Sequence, residues 1–423
     1  MEDKNTKLKQ KSTKIENNCI FSEENVNTGH QPEIDYLKTL DVFLIVFSHV
    51  YEEFSKGILI DIIVVLVWIV KAGSPMLVMG MGMKYSRHHE AKNYISRGII
   101  LLTLSQFVNL IRDTLPNLIA WWITKNKNFF SRALLILQAD ILSFCGIAFI
   151  VLGILKKMKL SDRSILIIGI IINSLAYALF KNVESPDNFL LSQFLGYFVT
   201  TKAECFFPFC SYFIFVAFGY WLGGIYQKIS NKDKFYNYVL MFCLPTVIIY
   251  HYFRIQYNFP MLPEFFSFEQ YCLVPGPDGI VTCLNNLVFL ALFYKLDKML
   301  KGKTPEFIIH ASKNLNQYYI ISYVLIVQIQ TFLMVSKGEE FPFTIKYTTI
   351  YAFLIAIFCR ILIDMNDKYI HFTITTLKNP NRNYVFTFIW VMTIISVIYI
   401  YPRVEVYATL WNNYLYPEPK IFD

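Results

Sequence analysis

From residue 34 onward the chain alternates long apolar runs with short polar connections, and the runs approach the ~20 residues that a helix needs to cross hydrocarbon. They fall at about 34–53, 57–83, 96–113, 134–155, 163–181, 206–226, 235–253, 279–297, 316–335, 344–364 and 383–402. The predicted fold class is all-α, a polytopic membrane helix bundle of about 11 transmembrane helices. Residues 1–33 are polar, rich in Lys, Asn, Glu and Ser, and read as a disordered cytoplasmic tail. Residues 34–402 form one transmembrane domain, and 403–423 a short extracytoplasmic tail that adds no soluble domain.

The polar connections then orient the bundle. Lys and Arg are about twice as abundant in every second connection, counted from the N-terminus, as in the others. Cationic loops stay in the cytoplasm, so the N-terminus is expected inside and the C-terminus outside, in a multi-pass protein of the cell membrane. Trp121 and Trp122, in the outer connection 114–130, suit a membrane interface. Outer loops at 182–205 and 254–278 either line an acceptor entrance or simply connect helices.

Composition sharpens this picture: 55% of residues are apolar and 17% charged, against roughly a quarter charged in soluble domains. The net charge of +8 is spread through short loops, so nucleic acid is not an expected partner. Eight Cys include no CxxC pair, and no metal is expected. Cys205, Cys272 and Cys283 either include a disulfide or, like the rest, act as small buried residues.

Candidate chemistry begins on the first span, where Lys38 and His49 are eleven steps apart. At ~100° per residue that is three turns plus roughly 20°, so both share one face about 16 Å apart. Titratable groups within a span are costly and by default face a polar passage. A neutral imidazole can take a proton from a hydroxyl or amine attacking a carbonyl. Lys38 either holds an anionic donor or snorkels to the interface.

These residues carry a resemblance. Lys38-x10-His49 resembles the Arg/Lys-x10-His signature of the acyltransferase family 3 proteins, in the transmembrane acyltransferase group that also holds the heparan-glucosaminide N-acetyltransferases. Residues 74–83, the basic loop to Gly98, Leu137–Gly146 with its Leu-Gln and following Gly, and Ser312–Ile321 are similar to further family stretches. The resemblance implies an acyl-CoA-dependent transmembrane O- or N-acyltransferase. Acetyl-CoA or another acyl-CoA would be the cytoplasmic co-substrate, and a hydroxyl or amine of an extracytoplasmic glycan or lipid-linked saccharide the acceptor. His49 would then be the base or acyl carrier, with Lys38 beside it as a catalytic-site cation. The pattern also departs: Lys38 replaces the commoner Arg, Arg97 alone represents an Arg-x-Arg pair, and Ser322 stands where a second His often follows.

Arg87, Lys92 and Arg97 either grip donor phosphates or serve only as inner-loop topology signals. Asp41, Lys71, Asp140 and Tyr319 are supporting polar residues: Asp41 lies one turn from Lys38 and can pair with it, and Asp61, Asp140 or Asp364 can neutralise Lys71. The rival readings are a transporter of a lipid-linked or amphipathic solute with Lys71, Asp140 and His49 as a proton relay, and a membrane glycan polymerase. The expected partners are acyl-CoA, the saccharide acceptor and the bilayer; homo-oligomerisation is left open.

Overall fold

The computed structural model describes residues 19–54, 73–87, 90–182, 188–199, 205–257, 273–274, 276–337, 345–370 and 382–404. Among them, eight helices are long and apolar enough to cross a membrane, which fits a membrane protein. Each of the eight overlaps one expected run. The remaining three runs are represented by α1 (Pro32–Phe54), α2 (Gly73–Tyr85) and the 17-residue α6 (Ile141–Lys157). α1 is long enough but charged, carrying Glu33, Asp35, Lys38 and Asp41. Part of the expected 57–83 run, including Lys71 and Asp61, lies outside the described residues.

Burial grades these helices from centre to rim. In α9 (Phe209–Tyr226) 72% of the most apolar stretch is buried, against 17% in both α10 (Lys232–Tyr257) and α15 (Arg382–Val404). A helix that is apolar all round belongs at the centre of such a bundle, and Phe213, Phe215 and Val216 are indeed fully enclosed. The rim helices instead expose side chains such as Phe242, Ile248 and Ile398, as a hydrocarbon-facing surface would.

Glycines let two helix pairs approach to backbone contact. A Cβ on Gly219 of α9 would lie 2.0 Å from the Leu77 carbonyl oxygen of α2, and one on Gly80 would lie 2.3 Å from that of Val216. In the same way Gly98 of α3 (Ala91–Asn109) meets Gly146 of α6, with a Cβ there 2.5 Å from the Gly146 oxygen. These crossings fix the walls around the site described below.

The third span runs further than its apolar pattern predicts. α3 continues through a π-helical turn, Leu110–Thr114, into α4 (Leu115–Thr124), so residues 114–124 are helix rather than outer loop. Pro116 accounts for the turn, because its ring crowds the carbonyl four residues back and it has no N–H to donate. The Leu115 N–H reaches back to Leu110 O, and the Ile111 carbonyl freed by Pro116 accepts from Gln328 Nε2 at 3.3 Å. α4 ends at Lys125, in the left-handed region at φ 57°, with its ammonium 5.7 Å from the Trp121 ring.

The fourth span is correspondingly shorter. After α5 (Lys127–Arg132), residues Ala133–Leu137 form a 3-10 turn and Gln138–Asp140 are non-helical. Asp140 caps α6, accepting from Ser143 N at 3.0 Å, as an N-cap carboxylate does.

The expectation of a disordered tail fails for residues 19–31, which lie against the 226–231 connection. Ser22 N donates to Lys228 O and Asn27 N to Gln227 O, both at 2.8 Å. Glu33, 1% exposed, anchors the junction: Tyr226 donates to it, as do Tyr236 at 3.1 Å and Lys232 Nζ at 2.7 Å. Polar composition misleads here because the segment spends its hydrogen bonds on protein backbone rather than water. Residues 1–18 lie outside the described residues.

Candidate functional site

Three helices build the site. α1 contributes Lys38, Ile45 and His49 at steps of seven and four, close to one stripe of a continuous helix. α3 contributes Arg97, Leu101 and Ser105 at steps of four, and its π turn carries Arg112 onward. α13 (Leu315–Lys337) contributes Tyr319 and Tyr323, again four apart.

Between them, with α2, α6 and α12 (Glu306–Lys313), lies a cavity of about 740 Å³, within the range of small-molecule sites. Among the described residues its lining includes Lys38, Arg97 and Lys313 as fixed cations against a single carboxylate, Asp35. That carboxylate is already engaged, accepting from Ser312 Oγ and pairing with His30 Nε2 at 2.5 Å. The uncommitted charge at this end is therefore positive. Ile45, Met79, Leu101 and Leu142 make the wall apolar beyond it, and Tyr319 lines it too. Arg97 lays its guanidinium 5.1 Å from the Phe149 ring.

His49 is not itself in the lining, but Ile45 is, one helical turn before it. The last lining residue of α1 thus lies about 6 Å of helix rise before His49. Around His49 a buried polar cluster takes over. Its ring stacks on Tyr323, centroids 4.2 Å apart at 18°, and lies 6.3 Å from that of Tyr319. His49 Nδ1 is buried without a hydrogen-bond partner among the described residues.

Arg112, fully buried, sits with its guanidinium 4.2 Å from the same Tyr323 ring. Its Nε donates to Asp113 at 2.6 Å, and its Nη2 to Asn109 Oδ1 at 3.1 Å and to Gln138 Oε1. Asp140 closes the cluster: beyond its cap it accepts from Ser105 Oγ at 2.7 Å and from Tyr319 OH at 3.3 Å. One carboxylate so ties α3, α6 and α13 together.

The residues singled out in the sequence separate into two groups. Lys38, Arg97, Asp140, Tyr319 and His49 converge on the cavity and the cluster at its end. Arg87 and Lys92 do not: both are exposed and outside the lining, and Lys92 pairs with Glu90 at 2.7 Å. Asp41 is buried and accepts from Ser74 Oγ at 3.1 Å, and no ion pair joins it to Lys38 among the described residues. Asp364 pairs with His310, at 2.9 Å, and with Arg360. Lys71 and Cys272 lie outside the described residues, while Cys283 is a free buried thiol.

Arg112 and Tyr323 escape the sequence reading. A cation in an apolar run is itself a functional signal, but Pro116 makes residue 113 look like a span end and moves Arg112 to the interface. Tyr323 is one aromatic among 28 Tyr and 38 Phe.

Compared with known proteins, the chain matches no protein-family model, no curated protein and no solved structure. The functional reading therefore stands on these residues and their geometry.

Proposed function

We propose that this chain is a membrane-bound acyltransferase that moves an acyl group, acetyl in the simplest case, from acyl-CoA to a hydroxyl or amine. In this reading the cationic mouth faces the cytoplasm, the chain has eleven spans with its C-terminus outside, and the acceptor is an extracytoplasmic glycan or lipid-linked saccharide. One observation carries the proposal: a cavity lined by Lys38, Arg97 and Lys313 whose last α1 residue is one turn before His49, where Nδ1 has no hydrogen-bond partner among the described residues.

The physical fit is direct. Phosphates of the donor are held by cations that outnumber the carboxylates in the described lining. The pantetheine arm follows the apolar wall, and the thioester arrives beside His49. Nδ1 is available to accept a proton or to attack, and Tyr323 fixes the ring plane. Fixed geometry of this kind replaces an improbable encounter with a positioned one.

Purified protein given acetyl-CoA labelled in the acetyl group tests this. Label should move to a saccharide acceptor, or be hydrolysed slowly without one, and His49→Ala should abolish both while the folded protein elutes unchanged. Normal turnover in His49→Ala contradicts the assignment. Solute uptake by vesicles holding the protein, with no acyl transfer, would favour the transporter reading.

A further inference from the structure

The buried cluster contains a donor that nothing in the fold uses. Arg112 has five N–H donors; Nε and Nη2 are committed to Asp113, Asn109 and Gln138, whereas Nη1 is buried with no acceptor among the described residues. An unmet donor on a fully buried cation is costly, more so than one on a neutral group. Its neighbours also hold it in place. Asp113 fixes the Nε edge and the two amides fix Nη2, which leaves the remaining nitrogen as the one directed elsewhere.

The position of that nitrogen gives it a use. Arg112 and His49 meet the same Tyr323 ring, each 4.2 Å from its centroid, so a base and a cation share one aromatic neighbour. α3 runs toward it from the cavity wall at Arg97 and Leu101, past Ser105 on Asp140, as α1 does from Lys38 and Ile45. Both groups lie just beyond the last lining residues of their helices, Ile45 on α1 and Leu101 on α3.

We infer that Arg112 Nη1 is the oxyanion-stabilising donor of the transfer reaction, binding the acyl oxygen as it becomes negative. This rests on the acyl-transfer reading above. The acceptor O–H gives its proton to His49 while its oxygen bonds to the thioester carbon. The carbonyl π pair moves onto the acyl oxygen, which Arg112 holds. When that pair returns, the carbon–sulfur bond breaks, and the CoA thiolate leaves with the proton that His49 releases. Ester and free thiol result, with no other reactant. A buried guanidinium aimed at the developing charge needs no reorganisation at that moment.

The test uses the full-length protein in lipid nanodiscs, as wild type, Arg112→Lys and Arg112→Met, with two ligands: CoA, and a CoA analogue carrying a methylphosphonate in place of the acyl group, which imitates the tetrahedral anion. All three proteins should bind CoA within about threefold of one another. The phosphonate should bind the Met variant on the order of 100-fold more weakly than wild type, matching the loss of turnover typical of a missing oxyanion donor, with the Lys variant between them. A purely structural Arg112 would instead weaken both ligands together, or neither.

Because a buried cation also supports the fold, a wild-type measurement accompanies the variants. The carbonyl stretch of bound acetonyl-CoA, labelled with carbon-13 at the ketone, should fall below its value in water. An unshifted or raised frequency overturns the inference without any variant. Equal phosphonate binding in all three proteins, with CoA binding intact, overturns the role of Arg112 alone. Failure of wild type to bind CoA overturns the acyl-CoA reading itself.

Discussion

The His49 imidazole lies nearly parallel to the Tyr323 ring, centroids 4.2 Å apart and planes 18° from coplanar. The pair joins α1 to α13, and it holds the imidazole at the end of the cavity in a single orientation. A side chain with two rotatable bonds would otherwise sweep several positions, of which few serve transfer.

Tyr323→Leu keeps apolar volume but removes the stacking surface. An aromatic pair of this kind contributes about 1 kcal/mol beyond area burial, so kcat should fall roughly fivefold while CoA affinity holds. Steady-state kinetics beside a CoA titration measure both. A fall in CoA affinity of the same size would assign Tyr323 to donor binding instead.

The cations at the mouth act differently from those nearby in sequence. Lys38→Met and Arg97→Gln should each weaken acyl-CoA binding by about tenfold, as expected for loss of a charged hydrogen bond of ~1.5 kcal/mol, with a smaller effect on kcat. Arg87→Gln and Lys92→Gln, both at exposed positions outside the lining, should leave the affinity unchanged. Binding isotherms for the four variants check this.

Asp140 is a structural keystone before it is anything chemical. Asp140→Ala removes the cap of α6 and the acceptor for Ser105 and Tyr319, and should cost about 2–3 kcal/mol from the lost cap and the stranded hydroxyls. Asp140→Asn, which keeps an acceptor oxygen, should cost less. Thermal unfolding in one detergent compares them.

Gly219 tolerates no side chain, because its Cβ would lie 2.0 Å from the Leu77 carbonyl oxygen. Gly219→Val should force α2 and α9 apart at a cost of about 3 kcal/mol or more. Gly82, with open space at its Cβ position, should accept Ala with little change in melting temperature.

How much of this was readable in the sequence follows from the range of the interactions involved. The shared face of Lys38 and His49 depends only on helical period, and eight of the eleven expected runs overlap the long apolar helices because length and hydropathy are local properties. The extended third helix was hidden because Pro116 reads as a breaker, and only the folded chain shows Gln328 accepting the role of the missing N–H. Asp41 looked like a partner for Lys38 by spacing, yet Ser74 of α2 supplies its hydrogen bond. Arg112 and His49 are 63 positions apart in sequence, and their meeting at Tyr323 is a product of packing that no local pattern encodes.

The central claim is that one passage leads from the cations around Lys38 to the imidazole of His49. Density for CoA in a cryo-EM map of the protein saturated with it tests this most directly. The account predicts phosphates within hydrogen-bond distance of Lys38, Arg97 or Lys313 and the sulfur near the Ile45 turn, pointing toward His49. CoA bound outside this cavity, or lying with its thiol turned back to the cationic mouth, contradicts it.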